Sequence, residues 1–408
     1  MKIALLHYSS PPIVGGVESV LAHHARLMTK AGHAVTIFTG RGNTFDERIP
    51  VQILPLLDSR HPEVMMVKRE MDLGHCTPAF DRLRDKVGQE ILAGMQGFDI
   101  LIAHNVASLH KNLPLTAAIH AVYTMPGFPK LILWHHDLAW TTPRYRHEMH
   151  AGYPWDLLRT NWGNVTHVVV SELRRQELGR LLKIGQDAIR VIPNGVDVNS
   201  FFKLEPQTIH FVDQLKLLDA NPLFLLPVRL TPRKNIELAL RVLAELRSFF
   251  PKAMLLVTGP EGPHNPANAR YRQRLLALRN DLNLQDRAHF LADITPEFMP
   301  DAVIADFYRI SDALLFPSRE EGFGIPIIEA AFNLMPVFCA DIPVLHELCG
   351  EDVIYFDPDA EPRLIAKKIF DGLENEKTSR WARRVKQAYT WDSIYALRIG
   401  PLIQEVME

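Results

Sequence analysis

The sequence predicts an α/β protein of two tandem domains, each a doubly wound parallel sheet, and three observations carry that expectation. Short, wholly apolar runs alternate with stretches of helical periodicity along most of the chain, the pattern of strands buried on both faces by crossover helices. The alternation halts at a polar, proline-dotted passage, "KLEPQTIHFVDQLKLLDANP", and then restarts. At 408 residues, with 47% apolar and 23% charged side chains, the chain is long enough to bury two full cores.

In order, Lys2 to Tyr8 reads as a buried strand and "SSPPIVGG" as a loop. Val17 to Lys30 reads as a helix closed by Gly32, and His33 to Phe38 as a second strand. Further apolar runs follow at Val51–Leu57, Ile100–His104, Leu131–Trp134 and Val165–Val170. These make a first domain over 1–205. The second, over 206–388, opens with strand Leu223–Pro227 and continues with helix Ile236–Phe249, strand Ala253–Thr258, helix Ala267–Asp281 and strand Ala288–Leu291. Helix Asp301–Arg309, strand Ala313–Phe316, helix Pro326–Leu334 and strand Val337–Ala340 complete it. Ligands of such sheets bind outside the carboxyl ends of the strands, so a cleft between the domains is the expected active site.

Charge and cysteine content bound the function. Forty-five basic residues against 47 acidic ones leave no global field for nucleic acid or an anionic membrane. Three sparse cysteines suit a reducing, cytoplasmic compartment better than a disulfide framework. The apolar run in "MKIALLHYSS" is too short for a signal segment, and no run reaches membrane-spanning length, which leaves peripheral contact with the inner face of a membrane open. Oligomeric state is not legible.

The stretch "EEGFGIPIIEA" carries the chemistry. Strand Ala313–Phe316 ends at Pro317, so Ser318 to Gly324 form a loop at its carboxyl end and Pro326 suits the first turn of the next helix. Gly322 and Gly324 let backbone approach a ligand, and the helix start offers free N–H groups to an anion. A phosphate-bearing ligand fits. Glu321 is expected near the reacting centre, and Glu329, a turn into the helix, would accept hydrogen bonds from a vicinal diol such as a ribose. The plainer alternative is that both are solvated acids favoured by the helix dipole.

"EGFGIPIIE" resembles the E-x7-E signature of the family-four retaining glycosyltransferases, which have the GT-B architecture of two Rossmann-like domains and a C-terminal crossover helix. "GGVESVLAHHARLMTKAGHAVTIFTG", "HHDLAW", "VIPNGVD", "VRLTPRKN" and "VTGPEGP" resemble further segments of that family in the same order, and residues 389–408 its returning helix, with Trp391 a hinge anchor. The resemblance implies transfer of a hexose, glucose or mannose, from a UDP- or GDP-linked donor to a hydroxyl, with retention and front-face attack, and with no cofactor or metal. Arg229 and Lys234 would stabilise the leaving diphosphate. Gly15, Gly16, Glu321, Gly322, Phe323, Gly324, Ile325 and Glu329 would complete the donor site, and Asn194 and Gly195 would shape the domain junction. His136 would bond the donor sugar or face the acceptor, and Asp137 would orient that loop. Base recognition is expected from "GPEGPHNPANARY".

Between Trp134 and Trp162 lie four of the six tryptophans, two tyrosines and four histidines. Aromatic faces beside polar groups suit stacking on sugars, so Trp140 and Tyr145 join His136 and Asp137 as acceptor-side candidates; packing between domains is the alternative. His147 and His150 are too few to make a zinc site. The segment 58–98, with Met-rich Val64–Met71, is either an acceptor lid or a helical insertion with core methionines. Acceptor partners stay open among sugar, glycerate-like, lipid and glycan. An epimerase or phosphorylase on the same scaffold, or a non-catalytic nucleotide-sugar binder, are the competing readings.

Overall fold

The computed structural model describes residues 1–261, 267–295 and 297–408. Two compact units emerge: Met1–Gly195 with Trp391–Glu408, and Val196–Thr390.

The first unit holds seven strands: β1 (Lys2–Ser9), β2 (Ala34–Arg41), β3 (Val51–Ile53), β4 (Ile100–His104), β5 (Lys130–His135), β6 (Thr166–Val169) and β7 (Ile189–Val191). They pair in parallel in the order β3-β2-β1-β4-β5-β6-β7. Parallel strands need crossovers, here α1 (Gly16–Lys30), α2 (Pro62–Asp72), α3 (Pro78–Gly94), α4 (Leu113–Val122) and α5 (Glu172–Leu182). The pleat sorts β1 between two cores. Ile3 and Leu5 pack with Leu21, Ala25 and Met28 of α1, whereas Ala4 and Leu6 pack with Val87 and Ile91 of α3 and Ile119 of α4. Both faces being covered explains why the strand is apolar from Ile3 to Leu6.

The second unit begins with α6 (Val198–Phe202) and α7 (Pro206–Leu215), then alternates β8 (Leu223–Leu226), α8 (Ile236–Leu246), β9 (Met254–Val257), α9 (Ala267–Asp281), β10 (Ala288–Phe290) and α10 (Asp301–Ile310). It continues β11 (Ala313–Phe316), α11 (Ile325–Phe332), β12 (Val337–Ala340), α12 (Pro343–Cys349) and β13 (Ile354–Phe356), and ends in α13 (Pro362–Asn375) and α14 (Lys377–Ala388). The sheet order is β10-β9-β8-β11-β12-β13. Each unit is therefore a Rossmann-like doubly wound sheet whose strand order reverses once, at β1/β4 and at β8/β11. At such a reversal the loops after the two strands diverge to opposite faces and leave a crevice.

Three readings change. The polar passage after residue 202 is not a plain connection: α7 buries Phe211 and Val212, and the buried Asp306 carboxylate accepts from the Glu205 amide at 2.7 Å and the Thr208 hydroxyl at 2.8 Å. The second unit therefore starts at Val196 rather than after residue 205, since Leu204 already packs into its core. Residues 58–98 are largely helical, yet of the three methionines in α2 only Met71 reaches the core; Met65 and Met66 are exposed. Residues 262–266 of the expected base-recognition segment lie outside the described residues.

The terminal segment, α15 (Trp391–Ile394), a π-turn over Tyr395–Ile399 and α16 (Gly400–Met407), packs on the first unit. Trp391 stacks on His23 at 5.2 Å and meets His24 edge-on at 5.4 Å. A β-carbon on Gly195 would lie 2.8 Å from Trp391 Cδ2, so only glycine lets the chain pass there. Trp391→Ala should cost the first unit about 3–5 kcal/mol. Hydrogen exchange in denaturant should show β1 and α1 losing protection while β8 and α8 keep theirs.

Candidate functional site

The reversal point of the second unit gathers the motif residues. Arg229 to Lys234 follow β8 and Ser318 to Gly324 follow β11, the two strands that lie side by side. The loops are fastened together. The Arg319 amide donates to the Arg233 carbonyl at 2.9 Å and the Arg233 guanidinium to the Glu320 carbonyl at 3.2 Å. Lys234 Nζ is hydrogen-bonded to Glu321 Oε1, and Arg233 Nη1 stands 3.8 Å from Oε2.

The Lys234 and Glu321 side chains are only 10% and 8% exposed. Burial pushes the Lys234 amine down in proton affinity, and the Glu321 carboxylate pulls it back up. The ammonium also lies 5.4 Å from the centre of the Phe316 ring. Lys234, expected to meet a diphosphate, and Glu321, expected near the reacting centre, are partnered with each other. Arg229 is exposed and forms no ion pair among the described residues.

Beyond this pair, Gly324 takes φ +107°, and a β-carbon there would press on Leu345 and Leu348 at 3.0 and 3.1 Å, so glycine is required. A β-carbon on Gly322 would meet nothing. Phe323 and Ile325 are exposed. Pro326 occupies the first turn of α11. Glu329 Oε2 accepts the Tyr308 hydroxyl at 2.6 Å. Burial and that carboxylate both raise the Tyr308 phenol, which therefore stays a donor. Ser318 Oγ, Thr231 Oγ1 and Asn235 Nδ2 are buried without a partner among the described residues.

At the reversal point of the first unit the groups are imidazoles. His7 Nδ1 donates to the His104 carbonyl at 2.9 Å, and His7 Nε2 lies 4.0 Å from Glu18, which accepts Ser9 Oγ at 2.6 Å. Glu18 also explains Gly15: a β-carbon there would overlap its carboxylate, while one on Gly16 meets nothing. His104 Nδ1 and His136 Nε2 share a hydrogen bond at 3.1 Å. Asn105, left-handed at φ 60°, accepts the His136 amide at 2.7 Å and the Asp137 amide at 3.3 Å. Asp137 faces Arg174 at 3.5 Å. Burial, then repulsion among the rings, lowers His24 and His136 to about 3, and burial lowers His167 to about 4.

The aromatic segment divides into buried, half-buried and exposed rings. Trp134, Trp155 and Trp162 are buried in the core, and Trp140 donates to the Trp155 carbonyl at 3.2 Å with Arg159 lying 4.0 Å from the centre of its ring. Tyr145 sits between two cations, Lys111 and Arg144. His147 is 77% exposed and His150 bonds the Asp72 carbonyl, so the two do not converge. Asp72, His110 and Glu148 bring possible ligand atoms within 4.8 Å of one another, but Lys68 Nζ already stands 2.6 Å from Asp72 and 2.9 Å from Glu148. A metal would have to displace it.

Residues 14–200 match the family profile "Glycosyltransferase Family 4" and residues 210–390 match "Glycosyl transferases group 1". The chain belongs to this glycosyltransferase family. Mannosylglucosylglycerate synthase of Petrotoga mobilis is 29% identical over 61% of this chain and 61% of its own length, so the match spans under two thirds of that relative. The MMP alpha-(1->4)-mannosyltransferase of Mycolicibacterium hassiacum is 24% identical over 98% of this chain and 97% of its own. Among solved structures, a glycosyltransferase from Rickettsia africae is 19% identical, covering 100% of this chain and 98% of that one at TM-score 0.39.

In this glycosyltransferase the sequence missed His7, Glu18, His104, Asn105 and Tyr308. Asn105 had a local signal, as the asparagine closing the apolar run "ILIAH". No helix among the described residues is long and apolar enough to cross a membrane.

The lowered histidines set a pH dependence. A base held below its unfolded value of 6.5 contributes stability that is present above pH 6.5 and is lost as pH falls toward the folded value. Between pH 6.5 and about 4 each of His24 and His136 should cost the first unit about 1.4 kcal/mol per pH unit. Denaturant unfolding against pH should show this slope, and His136→Gln should remove one histidine's share.

Proposed function

We propose that this glycosyltransferase moves a hexose, with retention, from a nucleoside diphosphate donor to an acceptor hydroxyl, and that the donor is bound at the β8/β11 crevice. One observation supports this most: the loops after β8 and β11 are joined by the buried Lys234–Glu321 pair, and Arg229, exposed in the first of these loops, is in no ion pair among the described residues. Arg229 and Lys234 then meet the diphosphate, where fixed positive charge stabilises the departing oxyanion. Glu321 keeps Lys234 charged and aimed, and its remaining lone pairs receive hydroxyls of the sugar. Gly322, Phe323, Gly324 and Ile325 present backbone N–H groups of the α11 start to phosphate. Glu329 takes the ribose diol, its carboxylate already oriented by Tyr308.

The first unit takes the acceptor in this reading. His136 is neutral, and because its Nε2 is engaged by His104, Nδ1 is the nitrogen it offers to a sugar hydroxyl. In front-face attack the leaving phosphate oxygen takes the acceptor's proton as the new bond forms, so no separate base is required. The names of the relatives favour mannose: Mannosylglucosylglycerate synthase and an MMP alpha-(1->4)-mannosyltransferase.

A thermal-shift series with GDP-mannose, UDP-glucose, GDP and UDP should raise the melting temperature for one nucleotide only. With the donor so identified, Glu321→Gln should lower kcat by about a hundredfold or more. Glu329→Gln should instead raise the donor KM about tenfold with kcat little changed. Equal, mild effects of both substitutions would overturn the division of labour.

A further inference from the structure

Lys111 and Arg144 are cations in no ion pair among the described residues, although Glu148 and Asp72 act on Lys111 at longer range. Lys111 Nζ and Arg144 Cζ each lie 4.7 Å from the centre of the Tyr145 ring, and neither forms an ion pair with a described residue. Carboxylates are near but engaged. Lys68 holds Asp72 at 2.6 Å and Glu148 at 2.9 Å, and His110 Nε2 lies 2.5 Å from the same Glu148 oxygen. Lys111 is half-buried, and two positive charges on one ring repel each other. His110, 2% exposed and 5.0 Å edge-on from Tyr145, keeps Nδ1 buried without a partner. Three cations, Lys68, Lys111 and Arg144, stand against two carboxylates, Asp72 and Glu148, with burial lowering the proton affinity of His110, so the cluster keeps one positive charge for a ligand to neutralise.

The position fits a substrate. Lys111 lies in the loop after β4 and Arg144 in the loop after β5, both on the carboxyl-end side of the first sheet. Tyr8, in the last turn of β1, reaches the carbonyls of Asn105 and Leu109 at 3.4 and 3.5 Å, which joins this loop cluster to the β1/β4 reversal. The donor's diphosphate has its own cations in the second unit, Arg229 and Lys234.

We infer that Lys111 and Arg144, framed by Tyr145, form an anion subsite for the acceptor, so that the acceptor is a small hydroxyl compound bearing a carboxylate or a phosphate. This rests on the proposed glycosyl transfer only for calling the ligand an acceptor. Tyr145 fixes the two cations by its ring rather than by its hydroxyl.

Direct binding separates the two claims. D-glycerate, glycerol 3-phosphate and neutral glycerol are titrated into the full chain by calorimetry at low salt. One of the two anions should bind at least about tenfold more tightly than glycerol, which tells carboxylate from phosphate. Lys111→Gln combined with Arg144→Gln should weaken that anion about tenfold or more, the effect of two charge-assisted contacts discounted for exposure. Lys111→Arg should keep the binding, and the affinity for the donor nucleotide should stay within about twofold. No anion preference in the wild type, or an unchanged affinity in the double variant, overturns the subsite whatever turnover shows. Failure of every nucleotide sugar to bind overturns the proposed function instead and leaves the anion result standing.

Discussion

The second unit turns on one buried ion pair, Lys234 with Glu321, joining the loops after two neighbouring strands. Taking two charges out of water is costly, and their attraction repays it only when geometry and further contacts are good. The fold meets that condition in three ways. The parallel register of β8 and β11 brings the two carboxyl ends side by side, the Arg319–Arg233 and Arg233–Glu320 backbone contacts hold the loops at one spacing, and the Phe316 ring backs the ammonium. Breaking such a pair from one side typically costs about 3–5 kcal/mol, so the two loops are linked in stability as well as in position. A pair that expensive to bury is poor economy for stability alone; it makes sense where a charge must wait in a fixed place for a ligand.

Around the pair, the remaining groups divide by how tightly they are held. Arg229 is exposed, Glu329 is exposed but oriented by Tyr308, and Ser318, Thr231 and Asn235 carry buried polar atoms; among the described residues Arg229 is in no ion pair and those three atoms have no partner. A buried polar atom that gains a partner, water or ligand, avoids a cost of about 1–3 kcal/mol. Water or a polyhydroxylated, phosphorylated ligand would satisfy the three. The site therefore combines one preset ion pair with several open valences.

Much of the fold was legible because parallel strands covered on both faces must be apolar throughout, and β1, β4, β8 and β11 read so plainly. What sequence hid was packing that reverses a local impression. α7 looks like a polar connection because its charged residues face outward, whereas Phe211, Val212 and the Asp306 contacts to Glu205 and Thr208 fasten it to the core. The aromatic run from Trp134 to Trp162 could be read as a sugar platform or as packing because composition does not say which way a ring points, and Trp134, Trp155 and Trp162 turn out to be packing. The motif Glu321–Glu329 was readable from glycine and proline spacing, but its pairing with Lys234 joins residues 87 apart in sequence and depends on strand order alone. Tyr308 and Asn105 act through contacts that no spacing rule encodes.

The two reversal points solve the same problem with opposite electrostatics. In the second unit a charged pair is kept charged: burial works against the Lys234 ammonium and the adjacent carboxylate restores it. In the first, burial is left to win, and His7, His104 and His136 are held neutral, with one nitrogen of each committed to a neighbour. A neutral imidazole whose tautomer is set by its partner can donate or accept at its free nitrogen without adding charge beside a phosphate-bearing ligand. A protonated one would repel the neighbouring rings, so neutrality also keeps the imidazoles together. With the imidazoles neutral, Lys111 and Arg144 are the cations of the neighbouring loops through which the proposed anion subsite works.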